Sequence, residues 1–273
     1  MLVNNGGEIV DKIELSVIIV NYMKYEMTQK CIDSFMKYVQ NLKYEIIVLD
    51  NCSPNNSFEA LSESYQEIEC IRVVKNEINN GFGAGNNLAV SYANSDYILF
   101  LNPDVILLDD SVCSMLEVLE KQNDIGVIGA QLLNSDYSLQ YSCRRFLSFR
   151  EFVLARTPLK KIISNTKVME LNNKYLMRDI NHEVEQDVDW LMGSCLLVRK
   201  SEFLEIDGFS KEYFMYFEDV DLCYKYHLNN QRVYYYPRCK MIHLHEQESV
   251  KKINKLTFKH LESMFRFYKK YKI

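Results

Sequence analysis

The chain has 273 residues, of which 48% are hydrophobic and 25% charged, with only 9 Gly and 4 Pro. These values suit one large folded α/β unit and exclude a largely disordered or collagen-like chain. The net charge is −5, but the last 23 residues hold eight Lys or Arg against one acid, a local +7, which leaves −12 on the body; an acidic body of this kind argues against nucleic acid as a partner.

In chain order, residues 1–12 (MLVNNGGEIVDK) read as a flexible tail without the basic and apolar stretches of a secretory signal. No run of eighteen apolar residues is present, so no segment is expected to span a bilayer. LSVIIVN at Leu15–Asn21 is an apolar, β-branched run that predicts a buried strand. Helical spacing follows at Met27, Cys31, Phe35 and Val39. YEIIVLD at Tyr44–Asp50 is a second buried strand, and the turn-rich NCSPNNS leads into a helix capped by Asn56 or Ser57 and reaching Tyr65. Residues 68–74 predict a third strand, 76–87 a Gly/Asn loop and 88–93 a helix. YILFL at Tyr97–Leu101 is a fourth strand, and Asp109 or Asp110 opens a helix to about Gln122. Four strand–helix alternations predict an α/β fold with a Rossmann-like, mostly parallel central sheet flanked by helices. Ligands in such sheets sit beyond the carboxyl ends of the strands.

The second half is less regular. Residues 134–181 have mixed periodicity and predict a variable excursion. Order resumes at 188–199, with helices near 201–206 and 217–228 and strands at 232–236 and 240–243. From Lys251 onward Ile253, Leu256, His260, Leu261, Met264, Phe265, Tyr268 and Tyr271 recur at helical spacing among basic residues. The plainer reading packs this C-terminal basic amphipathic helix on the core; the sharper one attaches it to anionic lipid, a peripheral membrane contact. Eight Cys are scattered with no CxxC pair, which points away from a zinc or redox site and toward a reducing, cytoplasmic setting.

The chemistry-bearing residues stand just after the strands. Asp50 ends an apolar strand, where a carboxylate can accept an N–H from a base or simply set an Asx turn. Gly81-Phe82-Gly83-Ala84-Gly85-Asn86-Asn87 lets backbone approach a ligand closely, or forms a pliable loop. Its spacing, and its place after the third strand, disfavour a nicotinamide enzyme. Asn102-Pro103-Asp104 puts a carboxylate at a strand end, suited to Mg²⁺ or Mn²⁺, although Pro and Asp are also turn punctuation. Glu218-Asp219-Val220-Asp221 opens a helix, where acids suit the macrodipole. Its aromatic flanks, YFMYFEDVDLCYKY, also suit a carboxylate with a raised pKa, and hence a base. His243 and His245 follow a short strand and face the same way.

These stations, in this order, resemble the family 2 inverting glycosyltransferases of the GT-A fold, with the rhamnosyltransferase-like enzymes as the nearest subgroup. The matching segments are LSVIIVNY, EIIVLDNCSPNNS, NNGFGAGNN, YILFLNPDV, VDWLMGSCLLVRKSEF, DGFSKEYFMYFEDVDLC and YYYPRCKMIHLHEQES, spanning residues 15–249 apart from the excursion. The resemblance implies that residues 13–133 bind a nucleotide-sugar and that 182–249 bind the acceptor and catalyse. It implies that Asp50 binds a pyrimidine base and that Asn80, Gly83, Gly85, Asn86, Asn87 and Asn102 line the donor. Asp104 and His243 become the ligands of Mn²⁺ or Mg²⁺, Asp219 the catalytic base with Glu218 beside it, and Trp190 and Gly193 neighbours of the sugar and acceptor. The implied partners are a UDP- or dTDP-sugar donor and a glycan or lipid-linked acceptor. Three positions depart from the family pattern: Asn102 replaces the first acid of a DxD motif, Lys225 replaces an Arg, and Glu246 stands where a Gly follows the metal histidine. The rival readings are a nucleotidyltransferase and a non-catalytic nucleotide-sugar-binding module.

Overall fold

The computed structural model describes residues 2–3, 9–10, 12–156, 161–244 and 255–273. Leu15–Asn21 forms β1 and Tyr25–Tyr38 α1. Then come β2 (Tyr44–Asp50), α2 (Ser57–Tyr65), β3 (Ile71–Lys75), α3 (Phe82–Val90) and β4 (Tyr97–Leu101). These are followed by β5 (Val105–Leu107), α4 (Ser111–Lys121) and β6 (Ile125–Leu133). The second half adds β7 (Cys143–Arg144), α5 (Phe149–Arg156), α6 (Asn165–Tyr175), β8 (Gln186–Asp187), β9 (Trp190–Leu191) and β10 (Cys195–Arg199). It closes with α7 (Lys200–Glu205), α8 (Glu218–Leu228), β11 (Arg232–His243) and α9 (Lys255–Tyr271).

The main sheet runs β8-β11-β6-β10-β4-β1-β2-β3, with β5 against the far end of β11. Strands β3, β2, β1 and β4 are parallel, as are β6 and β11. Both faces of this sheet are covered, which is why its strands read as unbroken apolar runs. In β1, Ile18 and Val20 join one core while Val17 and Ile19 join the other.

Strand β10 breaks the parallel pattern. It runs antiparallel to both β4 and β6, pairing Cys195 with Leu101. Its start therefore lies beside the end of β4, and the Asn102 amide donates to the Ser194 carbonyl at 2.9 Å. The carboxyl end of β4 and the residues preceding β10 thus share one edge of the sheet.

Several boundaries differ from the sequence reading. The glycine segment is not a loop through Asn87: helix α3 begins at Phe82 and ends at Val90. The third strand is Ile71–Lys75 rather than 68–74. The two short strands expected at 232–236 and 240–243 are one strand, β11, with a pairing irregularity between Tyr236 and Lys240. Pro237 lies in that gap, where its missing N–H cannot enter a ladder. Strand β6 was not anticipated, because Gly126 and Gly129 interrupt its apolar run. Both glycines are packing requirements: a Cβ on Gly126 would lie 2.3 Å from the Tyr226 ring. Helix α9 buries Met264, Phe267 and Tyr268 on the body, as the plainer reading expects. Among the described residues, no helix is long and apolar enough to cross a membrane.

Candidate active site

The turn before β10 joins the two ends of the site. Ser194 Oγ lies 3.3 Å from Asn102 Nδ2 and 3.2 Å from His243 Nε2. One residue earlier, the Gly193 amide donates to Asp219 Oδ2 at 3.0 Å. The residues expected to bind metal and the residue expected to act as base are therefore linked through two consecutive positions.

At the first end, His243 Nε2 is 3.3 Å from Asp104 Oδ1. The imidazole is buried, and its Nδ1 is 2.6 Å from Gln140 Oε1. Because the Gln140 Nε2 donates to Asn134 Oδ1 at 3.0 Å, its oxygen faces the ring. Nδ1 is thus engaged by Gln140, which turns Nε2 toward Ser194 and Asp104. An outer amide that orients the ring in this way is what a metal-binding histidine uses. Asp104 Oδ1 and Asn102 Oδ1 are both buried with no hydrogen-bond donor. Burial works against ionisation of Asp104, but His243 and Lys24 outweigh it and hold the carboxyl below its ordinary range. Buried acceptors without a donor are costly, and a cation relieves that cost. Among the described residues no group of three or more His, Cys, Asp and Glu converges. The donor set therefore fits a hard ion that completes its shell with waters and phosphate oxygens. His245 lies outside the described residues.

At the other end, Asp219 accepts from the amides of Gly193 and Val220, at 3.0 and 2.9 Å. Burial pushes its carboxyl above the ordinary range despite those two donors. Glu218, 6% exposed, has Oε2 buried without a partner. Burial first, and then the negative charge of Asp219 and Asp221, raise it well above its usual value. Two adjacent carboxyls in an apolar wall are the arrangement that yields a group able to take a proton near neutrality.

These two acids border a cavity of about 180 Å³. Its walls include Arg144, Tyr175, Trp190, Phe217 and His260. The Arg144 guanidinium lies over the Tyr175 and Trp190 rings, 5.2 and 5.9 Å from their centroids. Stacked aromatic surface beside charge suits a sugar ring or another polar acceptor with an apolar face. Trp190 lines the same cavity as Glu218 and Asp219. The excursion and α9 supply much of the remaining wall, and neither carried a local motif that singled out its pocket residues. Asp221, three residues into α8, faces away from the pocket. It is fully buried and accepts from Ser210 Oγ, Tyr213, Lys270 Nζ and Tyr271. Lys225, at the position of a family Arg, donates to the Ile206 and Gly208 carbonyls at 3.0 and 2.5 Å. Both residues brace the loop before α8.

The glycine segment packs closely on the loop before α8. A Cβ on Gly81 would sit 2.1 Å from the Phe214 carbonyl oxygen, and its φ is +98°. Cβ atoms on Gly83 and Gly85 would press on Phe209 at 2.9 Å and Val20 at 3.2 Å. Asn87 clamps the Phe209 backbone at both groups, at 2.7 and 3.0 Å, and Asn86 donates to the Phe82 carbonyl. Gly81, Gly83, Asn86 and Asn87 let the loop carrying Glu218 and Asp219 pack against α3, and Gly85 lets α3 close on the sheet; within residues 80–87, Asn80 alone is exposed. Asp50 is likewise sealed at 0% exposure, accepting from Asn21 Nδ2 and the Ser53 amide at 2.7 and 2.9 Å. The turn-setting role therefore fits this conformation better than direct contact with a base. The buried Asn21, which orients Asp50 and also accepts from Thr28, was not picked out from the sequence.

Residues 16–202 match the family described as glycosyl transferase family 2. The chain belongs to that family. Among the relatives of this family 2 glycosyltransferase is the rhamnosyltransferase WbbL of Escherichia coli (strain K12), 30% identical over 256 residues, which are 86% of the chain and 88% of the relative. The N-acetylglucosaminyl-diphospho-decaprenol L-rhamnosyltransferase of Mycobacterium tuberculosis (strain ATCC 25618 / H37Rv) is 27% identical, over 65% of the chain and 59% of the relative. In fold, the chain is similar to GalNAc-T7 with UDP, GalNAc and Mn²⁺, at a TM-score of 0.70 and 14% identity over 95% of this chain and 48% of that one. The mannosyltransferase PcManGT from Pyrobaculum calidifontis, in complex with GDP-Man and Mn²⁺, gives a TM-score of 0.60 at 13% identity, over 96% of this chain and 65% of that one. The glycosyltransferase class and the GT-A fold follow, and the nucleotidyltransferase reading is set aside.

Proposed function

We propose that this glycosyltransferase moves a sugar, rhamnose foremost, from a UDP- or dTDP-sugar to a hydroxyl of a glycan or lipid-linked acceptor in surface polysaccharide synthesis. The observation that carries the reading is the Gly193-Ser194 turn, which touches Asp219 on one side and Asn102 and His243 on the other. The names of the E. coli and mycobacterial relatives support rhamnose, and the mycobacterial name supports a lipid-diphosphate acceptor.

In this reading Asp104 and His243 hold Mn²⁺ or Mg²⁺, with Asn102 beside them. When bound, such an ion supplies Lewis-acid stabilisation of the charge that develops on the departing nucleotide diphosphate. The chain's own residues do the rest. Trp190, Tyr175 and Arg144 orient the acceptor ring over Asp219. Asp219 takes the proton of the attacking hydroxyl as the new glycosidic bond forms and the bond to the diphosphate breaks. Gly193 holds the carboxylate in place through its amide. Glu218 keeps the neighbourhood carboxyl-rich, which favours a high proton affinity at the pair. One displacement by one base inverts the anomeric centre. Asp50 shapes the base pocket through its turn, and Asn80 is the member of the glycine segment that stays open to a donor.

The test is release of UDP or dTDP in the presence of acceptor, with and without chelator. Transfer lost in EDTA and restored by Mn²⁺ or Mg²⁺ supports the reading. Chelator-insensitive transfer removes the metal, and no release with any donor and acceptor supports a non-catalytic binding module.

A second reading concerns the membrane. Phe258 and Phe265 on α9 are 67% and 55% exposed, and Phe149 packs on Phe265 with ring centroids 5.7 Å apart. Lys259, Arg266 and Lys269 are exposed on the same helix. Apolar rings among basic side chains suit an anionic lipid surface. Equal recovery on anionic and neutral liposomes in a flotation assay argues against it.

A further inference from the structure

The loop that delivers Glu218 and Asp219 is bent in a way its side chains resist. Tyr216 and Phe217 are consecutive residues with φ of 67° and 69°. Bulky L-residues avoid this left-handed region, and two in a row persist only where the surroundings over-determine them. Phe217 is the residue on which α8 begins, so its backbone sets the direction in which the next two carboxylates leave.

Two elements hold this bend from opposite sides. On the α3 side, the Phe82 amide donates to the Phe214 carbonyl at 3.0 Å, an approach that only glycine at position 81 allows. On the other side stands α9. Ser263 Oγ donates to the Met215 carbonyl at 3.0 Å, from a position 3% exposed. The His260 ring meets Tyr216 edge-on at 5.0 Å and lies 5.6 Å from Phe217. Phe267 adds a third ring 5.5 Å from Phe217. The end of α9 is tied to α8 itself, since Lys270 Nζ and the Tyr271 hydroxyl both donate to Asp221 at 2.9 Å.

We propose that Ser263 and His260 are positioning residues for the transfer reaction: from α9 they hold the 215–217 bend in its strained form and thereby aim Glu218 and Asp219 at the cavity. The inference rests on the reading of Asp219 as base, and it gives the C-terminal helix a role in catalysis that is separate from any contact with lipid. Relaxation of Tyr216 or Phe217 to a right-handed conformation would rotate the first turn of α8 and draw the Asp219 carboxylate away from the Gly193 amide.

The experiment uses the full-length protein as Ser263→Ala, Ser263→Thr and His260→Ala. Hydrogen–deuterium exchange of residues 213–221 is expected to quicken about five- to tenfold in Ser263→Ala, the scale of one lost hydrogen bond. Ser263→Thr, which keeps the hydroxyl, restores protection. In transfer assays Ser263→Ala and His260→Ala lower kcat about tenfold or more while the donor KM stays near the wild-type value, as expected of groups that place a base. Unchanged exchange at 213–221 in both alanine variants overturns the proposal. So does faster exchange spread evenly over the whole chain, or local loosening with kcat intact. A wild-type protein that transfers nothing refutes the function itself, and in that case the exchange data still decide whether α9 holds the bend.

Discussion

Replacing Glu218 by Gln separates the demands of folding from those of chemistry. Glu218 is 6% exposed and its Oε2 has no hydrogen-bond partner. Burial, and then the charges of Asp219 and Asp221, push its carboxyl well above the ordinary range. In the unfolded chain the same group ionises near its usual value. Above that pH the folded protein binds more protons than the unfolded one, so stability falls as pH rises, until the buried carboxyl itself ionises. Its contribution is therefore fully present in acid and lost on the way to neutrality. Each tenfold change in acid dissociation constant corresponds to about 1.4 kcal/mol. For a chain of this size that is roughly 2–3 °C in melting temperature. The glutamine amide needs partners of its own, at a cost of about 1–3 kcal/mol if they are lacking, but that cost does not vary with pH. Glu218→Gln is thus expected to melt at or below wild type near pH 4 and to gain on it steadily toward pH 8. Thermal denaturation across that range measures the difference. A gap that stays constant with pH refutes the argument that an uncompensated buried charge sits at this position.

Asp219→Asn should retain donor binding but reduce nucleotide release roughly 10²-fold or more, measured in single-turnover assays with acceptor present. Gly81→Ala forces a left-handed backbone on an L-residue and drives its Cβ to 2.1 Å from the Phe214 carbonyl, so calorimetry should show a loss of roughly 2–3 kcal/mol. Asp221→Asn removes the counter-charge of the half-buried Lys225 and leaves Lys270 with Glu212 alone; a destabilisation of about 1–3 kcal/mol in urea unfolding is expected, with transfer falling alongside.

The first half of the fold was legible because β1, β2 and β4 are covered on both faces and their apolar runs are uninterrupted. β6 was hidden by two glycines that exist to admit the Tyr226 ring and Leu191. The pairing of Asp104 with His243, 139 positions apart, was readable only through resemblance, since no spacing rule brings them together. The same holds for the approach of Gly193 to Asp219. The glycine segment was ambiguous, because closeness to a ligand and closeness to another loop demand the same missing Cβ. Gln140 and Ser194 were not found, and His260 was read only as part of the recurring face of the last helix, because the meaning of each comes from what the fold lays beside it.

The antiparallel entry of β10 sets a distance. Three successive peptide units before it act as a ruler, fixing how far Asp219 stands from Asn102 and His243. Much of the cavity wall beside Asp219 comes instead from the 134–181 stretch and the last helix. Substitutions in those two segments can therefore reshape the cavity without disturbing that spacing, whereas inserting a single residue between Met192 and Cys195 would break it.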